Sequence, residues 1–180
     1  MNKGHPCGTH IPILLGLSRI FEIKSVIEFG CSQYSTPIFL NHFPHLEKLT
    51  SIDNKKDYLA SLEDDKRLEK MFVEGVLSPI VADMDNYDLV FVDDSDPSRP
   101  DTISEVIKHF ENSVLVFHDA DYITYKLAMQ SAPNLTVFDT YNPPTGVSCD
   151  EDLTQLQRII FKHRYLSTAD IEGWLRVYES

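Results

Sequence analysis

The sequence predicts an α/β protein, with a mostly parallel sheet and helices on both faces. Three observations lead there. Short apolar runs alternate with segments of helical apolar spacing. Two runs, Asp88-Leu89-Val90-Phe91-Val92-Asp93 and Asn112 to His118, are apolar almost throughout, as strands buried on both faces are. The first two runs also end in acids: Val26-Ile27-Glu28-Phe29-Gly30 carries Glu28, and Leu49 to Ile52 stops at Asp53.

The elements follow in order. Ile11 to Ile23 reads as a helix, because Ile13, Leu14, Leu17 and Phe21 fall near one face. Ser25 to Phe29 is a first strand. Thr36 to His42 is a helix, with Ser35 or Thr36 as its cap and Pro37 in the tolerated first turn. Leu49 to Asp53 is a second strand. Tyr58 to Lys66 reads as an exposed helix, and Glu63-Asp64-Asp65-Lys66-Arg67 as a solvated face of mixed charge. Lys70 to Glu74 is a short third strand and Ser78 to Met84 a short helix.

The run Asp88 to Asp93 is the fourth strand. Asp101 to Phe110 is a helix that aligns Ile103, Val106, Ile107 and Phe110. Asn112 to His118 is the fifth strand and Ala120 to Gln130 a helix. Leu135 to Thr140 and Gln155 to Lys162 are two late strands. Tyr141-Asn142-Pro143-Pro144-Thr145-Gly146, between them, reads as a rigid turn set by two prolines and a glycine. Ile171 to Val177 closes the chain as a short helix or strand.

The 180 residues fit one domain with a single core, spanning residues 1–180. Net charge is −12, so nucleic-acid phosphates are repelled at long range and no nucleic-acid partner is expected. No run approaches the ~20 apolar residues of a membrane span, so no membrane is expected. Ile11 to Leu17 does not read as a secretory leader. The three cysteines, Cys7, Cys31 and Cys149, are odd in number and widely spaced. That opposes a disulfide framework and points to the cytoplasm.

Asp53 follows Glu28 by 25 residues, the spacing of the first half of a nucleotide-binding βαβ unit. The two acids suit a ligand with an amino end and a ribose. Ile27-Glu28-Phe29-Gly30 with Ser35-Thr36, then Ile52-Asp53, then Val90-Phe91-Val92-Asp93, resemble the class I S-adenosylmethionine-dependent methyltransferases. The resemblance covers roughly Ile11 to Lys162. It implies a Rossmann-like, doubly wound, seven-stranded sheet with an antiparallel last strand. The family's first loop is glycine-rich, whereas Ser32 and Tyr34 stand here at the second and third glycine positions.

The resemblance assigns roles. Gly30 provides a turn and close approach for the methionine part of S-adenosylmethionine. Glu28 holds its amino group, directly or through water, with Ser32, Ser35 and Thr36 along the same loop. Asp53 accepts both ribose hydroxyls, since a carboxylate suits a diol. Adenine lies near Glu74 to Leu77, with Val76 and Leu77 as the sandwich and Asp83 and Asp85 as rivals for its amino group. Asp93 marks the place where methyl group and acceptor meet, and Asp94, Ser95 and Asp96 extend that loop. His118 and Asp119 face the same crevice. His118 can take the acceptor's proton, since its ordinary pKa lies near neutrality; the alternative is a histidine held structurally at a strand end.

Asp93 with Asp119 and Asp121 resembles the metal set of catechol-type O-methyltransferases, but Asp119-Ala120 stands where those have Asp-Asn, so no metal site is expected. The segment His5-Pro6-Cys7-Gly8-Thr9-His10 lacks a second ligand pair for zinc. It reads instead as a flap over the crevice, with Thr9 or His10 touching cofactor or acceptor. Asn142-Pro143-Pro144 is similar to a motif of amino-methylating enzymes, but lies after the sixth strand rather than the fourth.

The expected activity is methyl transfer to a small-molecule acceptor, at oxygen. A cap that the short chain lacks can come from a partner subunit, as in a homodimer. Two other readings compete. A nicotinamide-dependent oxidoreductase needs Gly-x-Gly-x-x-Gly, and the chain offers Gly30, Ser32 and Ser35 there. A non-catalytic binding protein on the same fold is motivated by Ser32 and Tyr34.

Overall fold

A computed structural model describes residues 8–94 and 97–179. His5, Pro6, Cys7, Ser95 and Asp96 therefore lie outside the described residues.

The strands are β1 (Ser25–Phe29), β2 (Lys48–Asp53), β3 (Leu68–Phe72), β4 (Leu89–Val92), β5 (Val114–Phe117), β6 (Leu135–Phe138) and β7 (Thr145–Ser148). They form one sheet in the order β3-β2-β1-β4-β5-β7-β6. Pairing is parallel from β3 to β5, and β7 runs antiparallel to both β5 and β6. The order reverses between β1 and β4, which leaves a crevice at their carboxyl ends.

Helices cover both faces. On one side lie α1 (Ile11–Ile20), α2 (Ser35–His42), α6 (Thr154–Lys162) and α7 (Ile171–Glu179), whose apolar residues share a cluster with Val26, Leu49, Phe91 and Val116. On the other lie a 3₁₀ helix (Ser78–Asp83), α4 (Arg99–His109) and α5 (Ile123–Met129), clustered with Ile27, Ile52, Val90 and Phe117. The two sets alternate along every central strand, as the two-residue period of a sheet requires. A short α3 (Lys56–Ser61) packs through Leu59 beside β2 and β3.

Several expectations are corrected. Gln155 to Lys162 belongs to helix α6, not a strand: Leu156 and Ile160, four residues apart, are its buried pair. The seventh strand is instead Thr145–Ser148, which takes over the end of the expected Pro-Pro turn. All four of its residues are buried, and Gly146 leaves room for Met129 and Leu135. Helix α3 ends at Ser61, and Glu63 to Arg67 is irregular; Asp65 and Arg67 pair there, and Arg67 also donates to the Leu40 carbonyl. The terminal segment is a helix, with Trp174 fully buried in the cluster that α1 shares. No helix among the described residues is long and apolar enough to cross a membrane.

Candidate active site

Period two places the site. Counting from buried Val26, Leu49, Leu89 and Val114, the same face reaches Glu28, Ser51, Asp53, Asp93 and His118 at the carboxyl ends. Backbone ladder bonds continue past the strands, from Asp93 N–H to the Phe29 carbonyl and from His118 N–H to the Val92 carbonyl. Polar groups from four strands therefore converge beneath α1 and α2.

Gly30 turns the chain at the end of β1 with φ +85°. A Cβ there would overlap the Asp93 carbonyl and Asp94 Cα, so glycine is required both for its φ and for the close approach. Glu28, two residues earlier in β1, is completely buried. It accepts hydrogen bonds from the hydroxyls of Ser35, Thr36 and Ser51. Burial pushes its pKa up to about 7 even though the three hydroxyls favour the charged form. Glu28, Ser35 and Thr36, expected along the cofactor, meet and satisfy one another inside the protein.

The cap of α2 is neither Ser35 nor Thr36. Their hydroxyls go to Glu28, and Ser32 Oγ accepts from the backbone N–H groups of Tyr34 and Ser35 instead. Tyr34 packs back against the core on the α1 side. Asp53 is nearly buried; it accepts from Cys31 N–H at 3.1 Å and Lys55 N–H at 2.7 Å, fastening the loop after β1 to the end of β2.

The residues expected around adenine stand in different surroundings. The turn at Glu74 and Gly75 lies beside the end of β2, where Asn54 donates to the Gly75 carbonyl at 2.9 Å. Glu74 and Val76 are exposed, but Leu77 is buried in the core with Val81 and is not free to sandwich a ring. Asp83 and Asp85 are exposed.

Beyond β4 and β5 lies a tight polar cluster. His118 bonds Asp93 Oδ1 through Nδ1 at 3.0 Å and Thr9 Oγ1 through Nε2 at 3.0 Å. Arg99, the first residue of α4, bridges Asp93 at 3.1 Å and Asp119 at 2.6 Å, and its Nε donates to the Asp94 carbonyl at 2.6 Å. The guanidinium lies over the Tyr125 ring at 4.7 Å. Asp119 reaches it through a left-handed turn, φ +57°. Burial alone would lower the His118 pKa, but Asp93 and then Asp119 outweigh it and raise it. Burial raises Asp94 to about 6, against hydrogen bonds from Thr102 and Ser98.

His10 closes the cluster from above. It precedes α1, is fully buried, and its ring stands edge-on to His118 at 4.8 Å and tilted on Phe91 at 4.9 Å. Burial, then the neighbouring His118, lower its pKa to about 3. Of the segment expected to fold over the crevice, Thr9 and His10 are buried against His118, and His5 to Cys7 lie outside the described residues. Sequence reasoning missed Arg99 and Ser51; the only signal for Arg99 was a lone cation just after the acidic loop. A cleft of about 880 Å³ opens elsewhere, between Ile23, Asp88, Ser113 and Cys149, and contains none of these residues. The titratable groups converge at the carboxyl ends, which is where chemistry is best supported.

No family model matches the chain. The chain has the Rossmann-like fold of the class I S-adenosylmethionine-dependent methyltransferases. Human methyltransferase-like protein 13, solved with S-adenosylhomocysteine, superposes with TM-score 0.64 at 15% identity, over 94% of this chain and 93% of that one. The O-methyltransferase TomG of Streptomyces achromogenes, solved with S-adenosylmethionine, gives TM-score 0.58 at 16% identity over 78% of each chain. Spermidine synthase from Thermotoga maritima gives 0.57 at 18% identity, over 84% of this chain and 61% of that one. In sequence, the chain is similar to the polyamine aminopropyltransferase of Clostridioides difficile (strain 630), 31% identical over 106 residues. That match takes in 53% of this chain but only 36% of the relative's length.

Proposed function

We propose that this protein is a transferase that binds an S-adenosylmethionine-type sulfonium donor along the loop after β1 and moves its methyl group to a small acceptor, at oxygen. The observation that carries the reading is the convergence of Asp93, His118 and Asp119 at the switch point, beside the Gly30 turn and Asp53. Asp53 supplies two acceptor oxygens for the ribose diol. Gly30 lets the loop backbone approach the donor, and Ser32 shapes it. Glu28 with Ser35 and Thr36 fixes that loop from beneath, in place of the expected hold on the amino group directly or through water. Glu74 borders the adenine side.

The chemistry needs alignment first. The acceptor's lone pair forms a bond to the methyl carbon as the carbon–sulfur bond breaks, and that electron pair stays on sulfur as a neutral thioether. The acceptor's proton goes to the Asp93–His118 pair, which Arg99 and Thr9 hold in position. The donor is cationic and the chain strongly acidic, which favours its approach.

A second reading is aminopropyl transfer, favoured by the 31% identity to a polyamine aminopropyltransferase. The two leave different products on the same sulfur. Loss of methyl leaves S-adenosylhomocysteine; loss of an aminopropyl group leaves methylthioadenosine. Calorimetric titration with each product, and with NADH as control, separates them. Micromolar binding of S-adenosylhomocysteine alone supports methyl transfer. Tighter binding of methylthioadenosine moves the reading to aminopropyl transfer. Binding of neither leaves the fold as an interaction module, and binding of NADH alone turns the reading to an oxidoreductase.

A further inference from the structure

His10 carries an unexplained feature. Both of its ring nitrogens are buried, and neither has a hydrogen-bond partner among the described residues. A neutral imidazole has one donor and one acceptor, and leaving both unmet in the interior is unfavourable by several kcal/mol. Packing alone could be served there by an apolar ring, since Phe91 is the neighbour on one side. On the other side stand His118 and Asp93, and ligand atoms of His10, Asp93 and His118 all lie within 4.8 Å of one another.

We propose that His10, His118 and Asp93 form a binding site for one divalent transition-metal ion. Two imidazoles and a carboxylate suit Zn²⁺, Fe²⁺, Mn²⁺ or Co²⁺ rather than Mg²⁺ or Ca²⁺, which take oxygen ligands. The ion enters where His118 Nδ1 now meets Asp93 Oδ1, and shared ligation replaces that hydrogen bond, so His118 takes an acceptor's proton only in the ion-free form. His118 keeps its Nε2–H bond to Thr9, which fixes ring and tautomer as an outer-sphere partner does. Bonds of about 2.0–2.2 Å place ligand atoms roughly 3–4 Å apart, so the trio contracts by roughly 1 Å on binding.

Charge supports the assignment. Asp93, Asp94 and Asp119 face a single guanidinium, Arg99, which leaves two negative charges for a dication to balance. The partly exposed side chains of Asp93 and Asp119 provide the way in. The trio differs from the Asp93, Asp119 and Asp121 set weighed in the sequence: Asp121 is exposed, and Arg99 holds Asp119 at 2.6 Å but Asp93 at 3.1 Å.

The test uses the full chain, stripped with a chelator and titrated with Zn²⁺ and Co²⁺ in the absence of donor and acceptor. One ion per chain is expected, with visible d–d absorption for Co²⁺ and no competition from excess Mg²⁺. His10→Phe keeps the ring packing and removes the nitrogens; affinity should fall more than the ~10–100-fold typical of outer-sphere changes, whereas Thr9→Val should fall within that range. Imidazole nitrogen shifts of the unaltered protein supply a readout that needs no variant: both histidines should move on addition of Zn²⁺. Absence of uptake below millimolar ion, or uptake that survives His10→Phe, overturns the site. Neither result bears on donor binding, which is read by separate titration.

Discussion

Glu28 is a carboxyl group out of reach of water, held by three hydroxyls, with a pKa near 7 instead of 4.5. Because the folded value lies above the unfolded one, the folded state keeps the proton longer. The stability that the neutral form contributes is present below pH 4.5 and is lost as pH rises to about 7. Denaturant melts should therefore show a decline on the order of 3 kcal/mol across that window, which Glu28→Gln should flatten. At Asp53, Asp53→Ala should cost S-adenosylhomocysteine affinity by at least tenfold, read by calorimetry; unchanged affinity would take the ribose role away from it. His118→Ala should slow turnover about 10²-fold or more with near-normal product binding, the range for a lost general base. Full activity would make His118 structural. These strand-end residues were legible because period two fixes which face each reaches. The same period puts Ser51 on the face of Asp53; Arg99 was not legible, since its role arises only when distant segments meet.

At the scale of elements, the loop after β1 and the loop after β4 touch at Gly30. Gly30→Ala forces a left-handed residue to carry a Cβ into the Asp93 backbone, so a loss of roughly 2–4 kcal/mol in denaturant stability is expected, above strain alone. A loss under 1 kcal/mol would show that the two loops can part. Helix α7 lies on α1, where the Tyr178 hydroxyl donates to the Pro12 carbonyl at 2.6 Å; its Trp174 is fully buried and donates from Nε1 to the Ser167 carbonyl at 3.0 Å. Trp174→Ala should destabilise by about 3–5 kcal/mol. The central strands were readable in the sequence because burial on both faces demands a continuous apolar run. The last strand was not: Thr145-Gly146-Val147-Ser148 is short, follows two prolines and is buried by its neighbours rather than by its own hydrophobicity. The Ile159-Ile160-Phe161 run resembled a strand, but Leu156 and Ile160 are spaced for a helix.

Across the whole molecule, the net charge of −12 acts at long range. A cationic sulfonium donor should associate more slowly as salt rises, by roughly tenfold between low and high ionic strength, in stopped-flow measurements. A rate independent of salt would confine the acidity to regions away from the crevice. The parallel pairing of the sheet and the helices on both its faces follow from the alternation of strands and helices in the chain. The face that carries the site follows from which acids end β1, β2 and β4.

Cys31 sits inside the first loop, nearly buried, with its N–H and its thiol both directed at Asp53. Burial, and then the neighbouring acids Glu28 and Asp53, push the thiol's pKa well above the ordinary value. An alkylating reagent can therefore reach a thiolate only when the loop lets go of Asp53. The rate of covalent labelling at this one sulfur becomes a clock for loop opening, one that slows when a ligand holds the loop shut.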